Sequence, residues 1–358
     1  MSHTSSQTIL CMKPNWLGTG LCNQLFFIIS TIIIAHQKKI PMVSFDDFRL
    51  EPMTDKMRPL GNIIDLCFLN QISQKYKVEI FEKKNIQFKL LNVTFGMESK
   101  QLDVTKIIQE RFVKNNELYI PKDTKLIQLQ EDPCPGQLKN LFIEFSLNDK
   151  VFNETHNEYL NTSIDINHYH SFQNWNDADI NTHNSIMFNE ILKDLQFHKK
   201  YNFYIHDVLD FNYPKKINVI HLRIENDMNG HMAKENKMNV ETYITTLENV
   251  YISCIQKFFD KKDLIFLLSY NFENNVVKFL KKQGYNFTTT PKNFFEGREQ
   301  HAIIDLMIGE QCSGTFIGNW NHQRNVGSSF SYVIGKRIKD KHVKQIYIDL
   351  YDIQKLVC

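Results

Sequence analysis

A histidine and an arginine two residues apart follow a short apolar run in the second half of the chain. They are His221 and Arg223, in the segment INVIHLRIENDM that begins at Ile217. Because side chains alternate along a strand, a strand here directs both residues to the same side at its carboxyl end. An arginine can hold two oxygens of a diphosphate and neutralise charge that develops on a leaving group. The alternative is a surface ion pair between Arg223 and Glu225 or Asp227.

A glycine-rich turn near the N-terminus separates a short apolar strand candidate from an apolar helix. It contains Gly18, Gly20 and Asn23. Glycine lets the backbone approach a phosphate or a sugar closely, and the start of a helix presents unpaired N–H groups. The spacing is not GxGxxG, and no convincing acidic ribose contact follows about 20 residues later. By itself, the turn indicates either a ligand contact or an ordinary tight turn.

Three further polar residues stand among apolar neighbours near the C-terminus. Ser328 and Ser329 lie where a helix is predicted to begin, in GSSFSYVIGKR. Hydroxyls beside the free N–H groups of a helix start make an anion site, although an ordinary serine N-cap is the alternative. Asp305 lies in the apolar segment HAIIDLMIGEQ. A buried carboxylate needs partners, and the amino and imino groups of a guanine are one suitable pair.

Strands and helices alternate regularly from residue 217 onward. Strands are predicted at 217–224, 264–268, 285–289, 315–318 and 345–349, and helices at 241–259, 274–283, 298–312 and 329–338. Apolar strands separated by helices indicate a parallel sheet covered on both faces, with ligands beyond the carboxyl ends of the strands. Between 38 and 204 the sequence is irregular, with mixed short strands and polar runs, and predicts a loop-rich region. We expect an α/β protein with two domains, residues 1–205 and 206–358.

Composition excludes several classes of protein. The 358 residues are 42% hydrophobic, and Lys and Arg outnumber Asp and Glu by only 42 to 40. The chain therefore has a core, and its net charge is too balanced for a nucleic-acid partner. Seven dispersed cysteines without a C-x-x-C pair favour reduced thiols. No secretory signal is visible, and the longest apolar run, 25–35, is shorter than the ~20 residues of a membrane span. We expect a cytoplasmic protein.

Taken in order, the motifs resemble those of the GDP-fucose-dependent fucosyltransferases, and most closely those of the protein O-fucosyltransferases. The segment GLCNQLF resembles a glycine-rich turn ending in GN, and HLRIENDM resembles HLRIGSDW. IIDLMIGEQ, FIGN and SSFS resemble VDLYILGQA, FIGN and SSF followed by Ser or Thr. The resemblance covers roughly forty residues and none of 38–204. The α-1,2-fucosyltransferases share a GLGNQMF-like turn, but their HxRRGDY-like segment fits HLRIENDM less well.

The resemblance implies a GT-B fold, in which two Rossmann-like domains hold the donor between them. It implies an inverting transfer of fucose from GDP-fucose to a protein or glycan hydroxyl, with no metal and no cofactor besides the donor substrate. It assigns Gly20, Leu21, Cys22 and Asn23 to the donor and acceptor cleft, His221 and Arg223 to the diphosphate, Asp305 to the guanine, and Ser329 and Phe330, beside Ser328, to the phosphate side.

Several residues depart from the family pattern. Cys22 and Glu225 replace glycines, Met228 replaces a tryptophan, and NHQRNV is inserted after FIGNW. These changes affect the shape of the sugar pocket and leave the diphosphate residues in place.

Arg223 is the predicted catalytic residue. Glu225 is a candidate general base only if the strand continues past Ile224, and is otherwise the partner of a nearby cation. Two alternatives stay open, an α-1,2-type glycan fucosyltransferase and a catalytically inactive module that binds a nucleotide sugar or a glycan. A dehydrogenase or kinase is disfavoured because GxGxxG and the Walker signature are absent.

Overall fold

The computed structural model describes residues 9–12, 20–45, 47–51, 56–82, 87–114, 117–121, 124, 132–147, 149–157, 162–164, 186–209, 216–224, 226–269, 272–291, 297–353 and 356–357.

The N-terminal part of the chain forms a small parallel sheet with helices. Its elements are β1 (Ile9–Met12), α1 (Leu21–Gln37), β2 (Met42–Phe45), β3 (Phe48–Arg49), β4 (Met57–Arg58), a 3-10 helix (Leu60–Asn62), α2 (Leu66–Gln74) and β5 (Glu79–Glu82). The strand order is β1-β2-β5, and both pairings are parallel. Gly20 precedes α1 in an extended conformation, so α1 begins directly after the glycine-rich turn.

An antiparallel module follows. Its elements are β6 (Phe88–Met97), β7 (Lys100–Asp103), α3 (Thr105–Phe112), β8 (Val113–Lys114), β9 (Glu117–Ile120), β10 (Asn140–Leu147), β11 (Lys150–Asn157) and β12 (Thr162–Ile164). One sheet has the order β11-β10-β6-β7, and a second has the order β12-β9-β8.

The prediction of short strands in a loop-rich region over 38–204 is therefore wrong for this module, in which β6, β10 and β11 are 8 to 10 residues long. A register shift between Glu144 and Phe145 passes over Leu91 on β6, which puts a bulge there. The bulge breaks the alternation of buried and exposed residues that would have identified the strand.

The C-terminal half forms the larger sheet. Its elements, after α4 (Ile186–Asp194) and α5 (Lys200–Val208), are β13 (Ile217–His221), α6 (Asn226–Glu235), α7 (Val240–Phe258), β14 (Leu264–Leu268), α8 (Asn275–Gln283), β15 (Asn286–Thr288), α9 (Arg298–Gly309), β16 (Thr315–Gly318), β17 (Trp320–Asn321), β18 (Val326–Gly327), α10 (Ser329–Arg337), β19 (Lys344–Ile348) and β20 (Leu356–Val357). The order is β15-β14-β13-β16-β19-β20, and only β20 runs antiparallel.

Most of the predicted C-terminal elements are confirmed. The strands at 264–268 and 315–318 have the predicted bounds, and Gly284 ends α8 in the left-handed conformation at φ 72°. The strand predicted at 217–224 ends earlier, at His221. The backbone N–H of Arg223 donates instead to the hydroxyl of Tyr251 on α7. Helix α6, which follows, was not predicted.

Helix α1 lies between the two halves of the chain. Of its 17 residues 13 are buried, on all sides of the helix. It packs on β1 and β2 and also on α4, α9 and α10. One hydrophobic cluster consequently joins Leu25 and Ile29 of α1 to Phe266 of β14 and Ile304 of α9.

The two parallel sheets with their helices confirm the predicted α/β class. The domain boundary between residues 205 and 206 stays a prediction, and α5 crosses it. None of the described helices is long and apolar enough to cross a membrane.

Candidate active site

The predicted site residues meet in one cleft of about 350 Å³ between α1 and the C-terminal sheet. Its lining includes Gly20, Leu21, Cys22, Asn23, His221, Arg223, Asp305, Ser328, Ser329 and Phe330. Every predicted site residue except Glu225 is among them, and Glu225 lies outside the described residues. Four elements far apart in the sequence thus bring these residues together, and their roles stay predictions.

The start of α1 forms the N-terminal wall of the cleft. The Leu21 N–H donates to the carboxylate of Glu299, and the Ser329 hydroxyl donates to Oδ1 of Asn23 at 3.1 Å. The first turn of α1 is thereby joined to the first turns of both α9 and α10. The Cys22 thiol is buried, and burial together with the Glu299 carboxylate raises its pKa. Cys22 is therefore a neutral wall residue rather than a nucleophile.

His221 is a buried, neutral imidazole at the end of β13. Its Nδ1 lies 2.7 Å from Oγ of Ser331, and the same Oγ accepts a hydrogen bond from the Asn319 N–H at 2.8 Å. With the Ser331 hydroxyl as the donor to Nδ1, the neutral ring carries its own proton on Nε2. Burial and then the Arg223 charge lower the pKa of His221 to about 3. The ring can therefore donate to an anion without becoming charged.

Arg223 supplies a positive charge to the cleft beside this ring, and Arg298 also lines the cleft. Its backbone is held by the Tyr251 hydroxyl, which accepts the Arg223 N–H at 3.0 Å and lies 2.8 Å from the His221 carbonyl oxygen. The same hydroxyl lies 2.9 Å from Oδ1 of Asn319. Because β13 ends at His221, strand alternation is not what places His221 and Arg223 together. The Tyr251 hydroxyl fixes the residues after the strand instead.

Asp305 lies on α9 in a small polar cluster at another part of the cleft. Its Oδ1 accepts the Thr290 hydroxyl at 2.5 Å, and its Oδ2 lies 3.5 Å from Nδ1 of His301. Nε2 of His301 lies 3.2 Å from the Thr290 carbonyl oxygen. These contacts stabilise a carboxylate that is only 8% exposed. Each carboxylate oxygen can accept a second hydrogen bond, so the cluster leaves room for a donor from a ligand.

The first turn of α10 presents backbone N–H groups to the cleft. Ser328 stands at the N-cap position, but its hydroxyl makes no capping hydrogen bond. The ordinary N-cap alternative therefore does not account for it. Helix starts of this kind bind anions because their N–H groups are unpaired and the helix dipole is positive there.

The inserted segment before α10 forms the β17–β18 hairpin. Trp320 pairs with Gly327 and Asn321 with Val326. Gly327 has φ +132°, and a Cβ at this position would lie 2.5 Å from the Asn319 carbonyl oxygen. Glycine is required there because the chain turns sharply into α10.

Glu299 is the main residue that sequence reasoning missed. It lines the cleft on the first turn of α9, is 2% exposed, and has its pKa raised by burial to about 7. In the sequence it is an acidic residue in the first helical turn, which is common because of the helix dipole. Only its contact with α1, 278 positions away, distinguishes it from an exposed acid.

The described residues include no group of three or more His, Cys, Asp or Glu side chains that could hold a metal ion.

No family model matches the chain, and no curated protein matches it by sequence.

In fold, the chain is similar to several solved fucosyltransferase structures. POFUT1 in complex with GDP-fucose is 11% identical with a TM-score of 0.49, over 96% of this chain and 99% of that chain. NodZ α-1,6-fucosyltransferase soaked with GDP-fucose is 12% identical with a TM-score of 0.45, over 98% of each chain. Fucosyltransferase NodZ from Bradyrhizobium is 11% identical with a TM-score of 0.45, over 98% of each chain. The likeness is one of fold and extends over nearly the whole chain.

Proposed function

We propose that the protein is an inverting glycosyltransferase that transfers fucose from GDP-fucose to a hydroxyl of a protein or glycan acceptor, without a metal ion. One observation carries the proposal. A neutral histidine donor, an arginine and the uncapped start of α10 face the same cleft as the glycine-rich start of α1. Such a set of donors suits a diphosphate, and the motif resemblance supplies guanine and fucose as the base and the sugar.

The chemistry follows from where charge develops. As the bond between the sugar carbon and the diphosphate breaks, negative charge grows on the oxygen of the leaving GDP. The Arg223 guanidinium can hold two phosphate oxygens at once, and Nε2–H of His221 can donate to a third. The N–H groups of the first turn of α10 add positive potential. These groups do the work that a divalent cation does in metal-dependent enzymes.

Asp305 is proposed to select guanine over other bases. A carboxylate can accept from N1 and from the exocyclic amino group of guanine together. Thr290 and His301 support this role because each contacts one carboxylate oxygen and leaves that oxygen a further acceptor position.

Two alternative functions share the proposed donor site and differ in whether, and to what, the fucose is transferred. An α-1,2-type enzyme transfers fucose to a glycan and leaves protein acceptors unmodified. An inactive module binds GDP-fucose and releases no GDP. The intact pair of His221 and Arg223 favours an active enzyme, because these are the two side chains proposed to stabilise charge on the leaving GDP oxygen.

Ligand-dependent melting tests the proposal. A ligand that binds only the folded chain raises the melting temperature by mass action. We expect GDP and GDP-fucose to raise it in the presence of EDTA, and UDP-glucose and NAD to leave it unchanged. A GDP shift that EDTA abolishes would contradict the metal-free mechanism. A shift with NAD alone would contradict the proposed donor.

A further inference from the structure

Glu299 lies where the two halves of the cleft meet. Its carboxylate accepts the Leu21 N–H at the start of α1. A Cβ placed on Gly20 would lie 3.8 Å from each of its two oxygens, so the whole carboxylate faces the end of the glycine-rich turn. The side chain is 2% exposed, yet it lines the cleft together with Arg223.

This carboxylate retains capacity to accept hydrogen bonds. Among the described residues, the Leu21 N–H is the one hydrogen-bond donor that reaches it, whereas an ionised carboxylate offers about four acceptor positions. A buried carboxylate with so few partners is costly to the fold. We therefore expect the Glu299 carboxylate to have a further partner. The cleft that Glu299 lines is where this partner can bind.

We propose that Glu299 is the general base of the transfer and accepts the proton of the acceptor hydroxyl, an inference that rests on the proposed function. The acceptor oxygen forms a bond to the anomeric carbon of fucose, and the bond from that carbon to the diphosphate oxygen breaks. The electron pair leaves with GDP. The hydroxyl proton passes to Glu299, which later releases it to water.

The electrostatic surroundings agree with this role. Burial raises the pKa of Glu299 to about 7, and Glu51 adds to the shift, while Arg298 and the Leu21 N–H oppose it. The Cys22 thiol on α1 is a further titratable neighbour, and the Glu299 carboxylate helps to raise its pKa. A base with a pKa near the working pH is the most effective in general base catalysis.

Two small nucleophiles, water and azide, can distinguish a general base from a structural residue at position 299. Neither experiment requires that the natural acceptor be known. Water must lose a proton when it attacks GDP-fucose, whereas azide carries none. We therefore expect Glu299→Gln to slow hydrolysis of GDP-fucose about 10²-fold or more and to leave formation of fucosyl azide within about threefold of the wild-type rate. The glutamine carbonyl can still accept the Leu21 N–H, so the fold is retained.

Glu248→Gln is the matched control. Glu248 is also buried and accepts a backbone N–H, from Asn275 at 2.9 Å, but it is absent from the lining of the cleft. This variant should keep both rates. Glu299→Asp, which keeps the charge on a shorter side chain, should retain more hydrolysis than Glu299→Gln at equal melting temperature.

The outcomes are distinct. Equal loss of both reactions in Glu299→Gln, or loss of neither, would overturn the role as general base while leaving the proposed function intact. A wild-type protein that releases no GDP with either nucleophile would overturn the proposed function and this inference together.

Discussion

The Ser331 hydroxyl lies 2.7 Å from Nδ1 of His221 and accepts the Asn319 N–H. One buried hydroxyl thus joins the end of β13, the end of β16 and the first turn of α10, which are the three elements at the diphosphate side of the cleft. When this hydroxyl donates to Nδ1, the neutral ring of His221 carries its proton on Nε2. Substitutions of single residues around the cleft can therefore measure what each contact contributes to GDP binding, turnover or stability.

Replacing Ser331 with alanine should weaken GDP binding and lower stability. The Asn319 N–H loses its buried acceptor, which costs about 1–3 kcal/mol in free energy of unfolding. His221 is then no longer held with its proton on Nε2. Calorimetric titration with GDP and thermal melting measure the two effects. Ser253→Ala, at an exposed helix position, should change neither.

Replacing Tyr251 with phenylalanine should lower kcat more than it raises KM for GDP-fucose. The hydroxyl that holds the Arg223 backbone is lost, while the ring that packs in the core stays. Tyr251 is a positioning residue, so its effect should be felt mainly when charge develops on the leaving oxygen. Steady-state kinetics of GDP release measure the two constants. An unchanged kcat would contradict this role.

Asp305→Ala should reduce the preference for GDP over inosine diphosphate, which lacks the exocyclic amino group. A hydrogen bond to a charged group contributes about 1.5–3 kcal/mol, so we expect roughly a 10- to 100-fold loss of GDP affinity. Thr290→Val tests the support of the carboxylate and should give a smaller loss. If both variants melt at lower temperature but keep the GDP preference, Asp305 is only a structural residue of α9.

Stability should depend on pH through Glu299. Burial raises its pKa to about 7 in the folded protein from an ordinary value of 4.5, so its contribution is fully present below pH 4.5 and is lost as pH rises towards 7. The difference in free energy of unfolding between wild type and Glu299→Gln should therefore change in favour of glutamine by about 3 kcal/mol over this range. Denaturant unfolding at pH 4 and pH 8 measures it. His221, with its lowered pKa, acts in the opposite direction, losing its contribution as pH falls below 6.5 in both proteins.

The C-terminal half of the fold could be predicted because short stretches of its sequence specify their own strands and helix ends. Continuous apolar strands such as Leu264–Leu268 and a glycine at the end of α8 determine their own structure. The long strands of the antiparallel module could not be predicted, because the bulge at Leu91 interrupts the alternation of buried and exposed residues on β6.

The residues of the candidate site also differ in how far the sequence could predict them. Residues at helix starts and strand ends, such as Ser329 and His221, could be identified in the sequence. Glu299 could not, because only the packing of α9 on α1 buries it.

Release of GDP from GDP-fucose in the presence of EDTA, compared between wild type and Arg223→Lys, tests the central claim most directly. Lysine keeps the positive charge but loses the planar fork that holds two oxygens. We predict turnover by the wild type, and a rate about 10²–10³ lower in the variant, with the loss in kcat and with the melting temperature retained. Equal turnover by Arg223→Lys and the wild type would contradict the account.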